Sequence, residues 1–177
     1  FQEVMRFVLS SPQRLFDRMR LKREKVVEIE NPVSSEYTCM RNWLLPSLME
    51  VLSKNTHEEF PQKIFDIGKM FKYDESKESG IYEFTRLGIA ICDKEADYTT
   101  IRQILDYLLS HLGLSYEIKE TDHPSFISGR VGRVSVNGED VAYIGELHPE
   151  VLTNFEIEMP TSALELNLTE LFKQQAQ

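Results

Sequence analysis

The sequence KIFDIGKMFKY at residues 63–73, together with FTRLGIAIC at residues 84–92, decides the fold. Both stretches are rich in the β-branched and aromatic residues that favour strands. The polar residues 74–80 between them are typical of a surface loop. The two stretches therefore predict a long antiparallel hairpin with a mobile loop.

The clearest helix is predicted at residues 99–112, where leucine and isoleucine recur at helical spacing and Gly113 follows as a stop. Asn137-Gly138 is a strong turn sequence and predicts a second hairpin of residues 130–136 and 141–147. Further strands are expected at residues 1–9, 26–30, 37–40, 116–119 and 163–168. Further helices are expected after Ser10-Ser11, at residues 44–55 with Asn42 as the candidate N-cap, at residues 149–155 and from Thr169. The glutamine-rich tail after Lys173 is expected to fray.

This combination of strands and helices predicts an α+β protein, in which an antiparallel sheet is flanked by helices on one side. With 177 residues and 41% hydrophobic content, the chain can form a core, and we expect residues 1–177 to make one domain. Because it opens at Phe1 and not at methionine, we expect it to be part of a longer protein. The apolar runs are far shorter than the roughly 20 residues of a membrane helix, so no membrane contact is expected.

The net charge and the cysteine content also narrow the classes of function that fit this chain. The formal net charge is −9, and residues 61–177 carry 11 Lys or Arg against 20 Asp or Glu. Such a balance argues against an independent nucleic-acid-binding protein, which neutralises phosphates with cations. Cys39 and Cys92 form no zinc-type or disulfide-type pattern, and this favours a reducing, cytoplasmic location.

One basic segment departs from the acidic balance. Residues 14–25 carry six Lys or Arg against Asp17 and Glu24. A solvated helix face and loop is the favoured interpretation, because charge runs usually have that role. The alternative is contact with RNA or a partner. The candidate RNA-contacting residues are Arg18, Arg20, Lys22 and Arg23.

The sequence offers no candidate catalytic, cofactor-binding or metal-binding residue. None of the four histidines has a second ligand-type residue at i+3 or i+4, and no phosphate-binding glycine loop occurs. His123 and His148 each precede a proline, where an imidazole more often fixes a turn than contacts a ligand. Trp43 is expected in the core, with an aromatic anchor in a subunit contact as the alternative.

Several separated motifs, in order along the chain, resemble the C-terminal, catalytic-like module of the phenylalanyl-tRNA synthetase beta-subunit family, in its archaeal and eukaryotic branch. The resemblance spans essentially the whole chain. The motifs are FQEV at residues 1–4, NPVSSEYTCMRNWLLP at 31–46, FDIG at 65–68, His123-Pro124, GELHPEVL at 145–152, FEIEMP at 155–160 and LELNL at 164–168.

The resemblance implies a class II aminoacyl-tRNA synthetase-like fold that has lost its nucleotide-binding groups. The first-motif strand is similar to residues 1–4, but Phe7 stands where the family's proline would fall. The second-motif strand resembles residues 65–72, with Lys72 in place of the ATP-binding arginine. A guanidinium grips phosphate through a planar fork that an ammonium lacks. The glycine-rich third motif is absent after residues 164–168.

The resemblance further implies a non-catalytic part of an enzyme that attaches phenylalanine to its tRNA. Neither ATP nor Mg²⁺ is expected in this chain, because both would bind the alpha subunit of an alpha2-beta2 complex that also holds tRNA. The candidate subunit-interface residues are Phe1, Val4, Phe7 and Trp43. Two alternatives stay open, namely an active class II ATP-dependent ligase domain and an unrelated protein-interaction domain.

Overall fold

The structure is a computed structural model that describes residues 1–175. The last two residues of the tail, whose fraying the sequence predicts, lie outside the described part. The strands are β1 (Gln2–Glu3), β2 (Leu9–Ser10), β3 (Cys39–Met40), β4 (Gln62–Tyr73), β5 (Ile81–Cys92), β6 (Glu117–Glu120), β7 (Phe126–Val136), β8 (Glu139–Leu147) and β9 (Thr161–Asn167). The helices are α1 (Leu45–Lys54), α2 (Tyr98–His111), α3 (Pro149–Asn154) and α4 (Leu168–Gln175), and a π-helical turn spans Gln13–Asp17.

Seven strands form one sheet in the order β1-β4-β5-β9-β8-β7-β6. β1 runs parallel to β4, and every other neighbouring pair in this sheet is antiparallel. β2 and β3 make a separate antiparallel pair. The protein is therefore α+β with a mostly antiparallel sheet, as the sequence predicts.

The predicted hairpin of residues 63–73 and 84–92 is confirmed. β4 and β5 pair in continuous register from Gln62 opposite Cys92 to Tyr73 opposite Ile81. The second hairpin, of β7 and β8, turns at Asn137, which has a φ of 51°, and Gly138, which has a φ of 84°. Helix α2 is also confirmed, and the Asp97 side chain accepts a hydrogen bond from Thr100 N at its first turn.

The predicted strand at residues 1–9 is wrong. Only Gln2–Glu3 joins the sheet, as a parallel edge strand, and Leu9–Ser10 pairs instead with Cys39–Met40. Residues 26–30 likewise form no strand, and Glu28 alone makes an isolated bridge to Cys39. These segments contain good strand formers, but a strand also needs a neighbour along its length, which local sequence does not specify.

Helices cover both faces of the sheet, and the expectation of helices on one side is therefore wrong. Ala90, Cys92 and Ala163 belong to a core shared with α1 and residues 15–19. Ile91 and Leu164 point the other way, into a core shared with α2 and α4. A strand covered on both faces has no polar side, and β9 is accordingly buried at six consecutive positions.

A glycine lets α1 lie directly on the sheet. A Cβ at Gly88 would stand 2.9 Å from the Cβ of Leu44 and 3.1 Å from a methyl carbon of Leu48. Such distances leave no room for any side chain at position 88 without moving the helix. Gly88 therefore fixes how closely the first turn of α1 approaches β5.

A buried ion pair fastens the segment before α1 to β4. Arg41 Nη1 lies 3.1 Å from Asp66 Oδ2, and the two side chains are 2% and 5% exposed. Arg41 Nε also donates to the carbonyl of Lys69 at 3.2 Å. Burial raises the pKa of Asp66, and the Arg41 guanidinium opposes that rise.

Removing the carboxylate of Asp66 should destabilise the fold strongly, because the Asp66→Ala variant leaves a buried guanidinium unpaired. We expect its free energy of unfolding to fall by about 3 kcal/mol or more. The control is Glu83→Ala. Glu83 lies on β5 and forms an exposed ion pair with Lys69, so its removal should lower the free energy of unfolding by less than about 1 kcal/mol. Urea unfolding followed by circular dichroism measures both, and equal losses would contradict a special role for the buried pair.

Candidate functional site

A charged cavity of about 580 Å³ lies over the sheet, between the first turn of α1 and the segment that follows the π-helical turn. Its size falls in the range of small-molecule sites. The polar side chains that line it come from β4, β5, β9 and three loops. They are Arg20, Lys22, Glu24, Asn42, Lys72, Arg86, His123 and Glu165.

Glu165 is the centre of this cavity's hydrogen bonding. One carboxylate oxygen accepts from the backbone N–H groups of Leu44 and Leu45, both at 2.9 Å. The other accepts from Arg86 Nη1 at 2.7 Å. Glu165 is 4% exposed, so its charge depends on these three donors in place of water. Glu165 therefore caps α1, and the prediction of Asn42 as the N-cap is wrong, because the N-cap position falls at Leu44.

Both guanidinium groups that line the cavity are already paired. Arg86 binds Glu165, and Arg20 Nε lies 2.8 Å from Glu150. Each contact engages one nitrogen of the guanidinium, Nη1 of Arg86 and Nε of Arg20. Carboxylates of the chain itself therefore balance the charge of both arginines.

Two cations that line the cavity, Lys22 and Lys72, form no ion pair with a carboxylate among the described side chains. Lys72 is exposed overall, yet partial loss of hydration lowers its pKa, and the neighbouring Arg86 adds to that effect. Arg86 Nε and Asn42 Oδ1 are buried without a hydrogen-bond partner. The cavity thus retains local positive character although the protein is acidic.

An aromatic cluster centred on His123 lies beside these charges. The ring centroid of His123 lies 4.8 Å from that of Tyr143, 5.2 Å from that of Phe126 and 6.0 Å from that of Trp43. Burial lowers the pKa of His123 to about 4, and the Arg133 charge contributes in the same direction. The imidazole is therefore neutral near pH 7.

The two histidines that precede proline fix turns, as the sequence predicts. His123 Nδ1 accepts a hydrogen bond from Ser125 N at 3.2 Å. His148 Nδ1 accepts from Glu150 N at 3.1 Å and caps α3. Both imidazoles thereby satisfy backbone groups that would otherwise lack a partner.

The four candidate interface residues occupy different environments. Phe1 and Phe7 are 57% and 70% exposed, whereas Val4 is partly buried against the core. Phe1 and Val4 also line a cavity of about 850 Å³ beside β1. Trp43 is only 9% exposed, and its Nε1 donates to the carbonyl of Leu15 at 3.1 Å. Its indole therefore lies in the core, as the sequence predicts.

The candidate RNA-contacting residues are mostly engaged within the protein. Arg23 makes a two-point ion pair with Asp17, Arg20 binds Glu150, and the guanidinium of Arg18 lies 5.4 Å from the ring centroid of Phe155. Lys22 is exposed. The structure therefore places most of this positive charge in internal contacts, and RNA contact stays a prediction.

The sequence did not predict that Glu165 and Arg86 belong to the site. The alternating pattern of residues 163–168 leaves Glu165 as one polar position of a strand, and nothing local assigns Arg86 a partner 79 positions away. Among residues 1–175, no group of three or more His, Cys, Asp or Glu is placed to hold a metal ion. No helix within that range has the length and apolarity that crossing a membrane requires.

The structure is therefore that of an α+β protein with a charged cavity, in which carboxylates of the chain pair with the two arginines. Residues 1–168 match the family model described as the phenylalanyl tRNA synthetase beta chain CLM domain, and the chain belongs to that family.

Curated relatives agree with the family model. The phenylalanine–tRNA ligase beta subunit of Pyrococcus abyssi is 49% identical over 172 residues, and that of Pyrococcus furiosus is 47% identical. The beta subunit of Thermofilum pendens is 38% identical over 173 residues. These alignments cover 97–98% of this chain but 31% of each relative, so the chain spans about a third of their length.

His123 should make the fold less stable in acid. Its pKa is about 4 in the folded protein against 6.5 for an ordinary histidine, so the unfolded chain takes up the proton first as the pH falls. The stability contribution is present above about pH 6.5 and is lost between that pH and about 4. Allowing for the part of the ring that water reaches, we expect a loss of about 2 kcal/mol.

The measurement is the free energy of unfolding in urea at pH 7 and pH 4.5, for the wild-type chain and for His123→Asn, which can still accept from Ser125. The variant should show a weaker pH dependence. His57→Asn is the control, because the His57 side chain is 72% exposed, and it should keep the wild-type dependence. An unchanged dependence in His123→Asn would refute the assignment.

Proposed function

We propose that this chain is a non-catalytic module of a phenylalanyl-tRNA synthetase beta subunit, and that it works in subunit assembly and in positioning tRNA. The observation that carries the proposal is the internal pairing of both arginines in the cavity, Arg20 with Glu150 and Arg86 with Glu165. A site for forming an adenylate needs free cationic groups to stabilise phosphate charge. Each of these two arginines already has a carboxylate of the chain as its partner.

A class II synthetase-like fold, formed by residues 1–177 as one domain, is part of the proposal. The mostly antiparallel sheet and its covering helices support it. The strands that resemble the second motif, β4 and β5, are neighbours, and β9 lies next to β5 where the third motif would begin. These three strands, two of which resemble the second motif, all contribute side chains to the cavity that contains Lys72.

ATP and Mg²⁺ would bind elsewhere in the complete enzyme, in the alpha subunit of an alpha2-beta2 assembly in the cytoplasm. Lys72 supports this division of labour, because the resemblance aligns it with the ATP-binding arginine and an ammonium lacks the planar fork that grips phosphate. The competing proposal of an active ligase requires amino-acid-dependent pyrophosphate exchange by this chain alone. Exchange by the isolated chain would therefore reject the non-catalytic role.

The surface proposed to meet the alpha subunit is the first strand and the residues that follow it. Phe1, Met5 and Phe7 are large apolar side chains exposed within seven residues of each other. Apolar side chains grouped in this way on a surface often mark a contact with another protein. The edge of β1, where the sheet ends, lies in the same region.

Replacing Phe7 should weaken binding to the alpha subunit, because a large apolar ring at an interface centre often contributes more than 1.4 kcal/mol. We expect Phe7→Ala to raise the dissociation constant at least about tenfold. The matched control is Tyr107→Ala, an aromatic ring that is 63% exposed on α2, and its affinity should change less than about twofold.

The measurement is binding of the purified alpha subunit from the same organism to immobilised chain. No binding by the wild-type chain would reject the assembly role. Equal weakening by Phe7→Ala and Tyr107→Ala would instead reject the first strand as the contact surface.

A further inference from the structure

The carboxylate of Glu165 occupies a position with the components of an anion-binding site. The N–H groups of Leu44 and Leu45 point at one oxygen, and Arg86 holds the other. Helix N-termini carry partial positive charge and bind anions through such N–H groups. A guanidinium and a helix N-terminus here converge on one carboxylate from two separate elements.

The surroundings hold more positive charge than Glu165 uses. Arg86 keeps a buried Nε without a hydrogen-bond partner. Lys22 and Lys72 line the same cavity, where Glu24 is the further carboxylate. The charge of Glu165 acts on Lys72, where it opposes the lowering of the lysine pKa. These groups would favour an anion at this position whichever molecule supplied it.

We propose that this is a carboxylate-binding site which the chain fills with its own Glu165 side chain. While Glu165 is in place, it excludes external anions from the floor of the cavity. Removing the side chain beyond Cβ vacates a space that a small carboxylate, such as formate, can fill with the same hydrogen bonds. The site lies wholly within this chain and needs no contact with an alpha subunit.

The test is rescue of Glu165→Ala by formate. Thermal unfolding of the whole chain is measured in 100 mM sodium formate and in 100 mM sodium chloride. Glu165→Ala should unfold at a lower temperature than the wild-type chain in chloride, and formate should raise its midpoint by about 3 °C or more. The wild-type chain should show no such difference between the two salts.

Two matched variants locate the effect. Glu165→Gln keeps the volume and an oxygen that can accept from Leu44 and Leu45, so formate has no space to enter and no rescue is expected. Arg86→Ala combined with Glu165→Ala vacates the space but removes the cation, so the rescue should be largely lost.

Each remaining outcome overturns the proposal. An equal rise in the wild-type chain would mean that formate acts elsewhere. A folded Glu165→Ala with no difference between formate and chloride would mean that no anion site exists. A Glu165→Ala chain that stays unfolded in both salts would mean that an external carboxylate cannot replace the side chain.

Discussion

The carboxylate of Glu165 is the interaction on which the rest of this structure depends. It joins β9 to the first turn of α1, 121 positions earlier, and to Arg86 on β5, 79 positions earlier. A buried carboxylate is tolerated only when donors replace the water that it has lost. The N–H groups of α1 and the guanidinium supply that replacement, and the same contacts fix where α1 begins. Gly88 then allows the helix to lie against the sheet beside this ion pair.

The pairing of Glu165 with Arg86 also determines part of the charge distribution in the cavity. The site has the size and some of the cations of a nucleotide pocket, but its arginines are paired with carboxylates of the chain itself. His123 adds a neutral ring to the aromatic wall. The proposed role as an assembly module rests on the pairing of these arginines within the chain, together with exposed apolar side chains at the first strand. The family match agrees with that proposal, and the chain spans about a third of the length of the curated relatives.

The sequence predicts those elements whose pattern is local. The hairpin of β4 and β5, helix α2 and the Asn137-Gly138 turn follow from periodicity and turn chemistry, and the histidines before proline fix turns as expected. Features that depend on distant neighbours could not be predicted. Residues 1–9 read as a buried strand because no local pattern reveals the missing partner strands. Glu165 reads as the polar side of a strand, since only the position of α1 shows that this side is covered. A charged residue within the apolar sequence ALEL was the available indication.

A double-mutant cycle between Glu165 and Arg86 tests the central claim most directly. The free energies of unfolding are measured for the wild-type chain, Glu165→Gln, Arg86→Gln and the double variant. The glutamine at 165 retains an acceptor for the α1 N–H groups, so the cycle isolates the charged contact. A buried hydrogen bond between charged groups predicts a coupling energy of about 1.5–3 kcal/mol. Single losses that add to within about 0.5 kcal/mol of the double variant's loss would contradict the account.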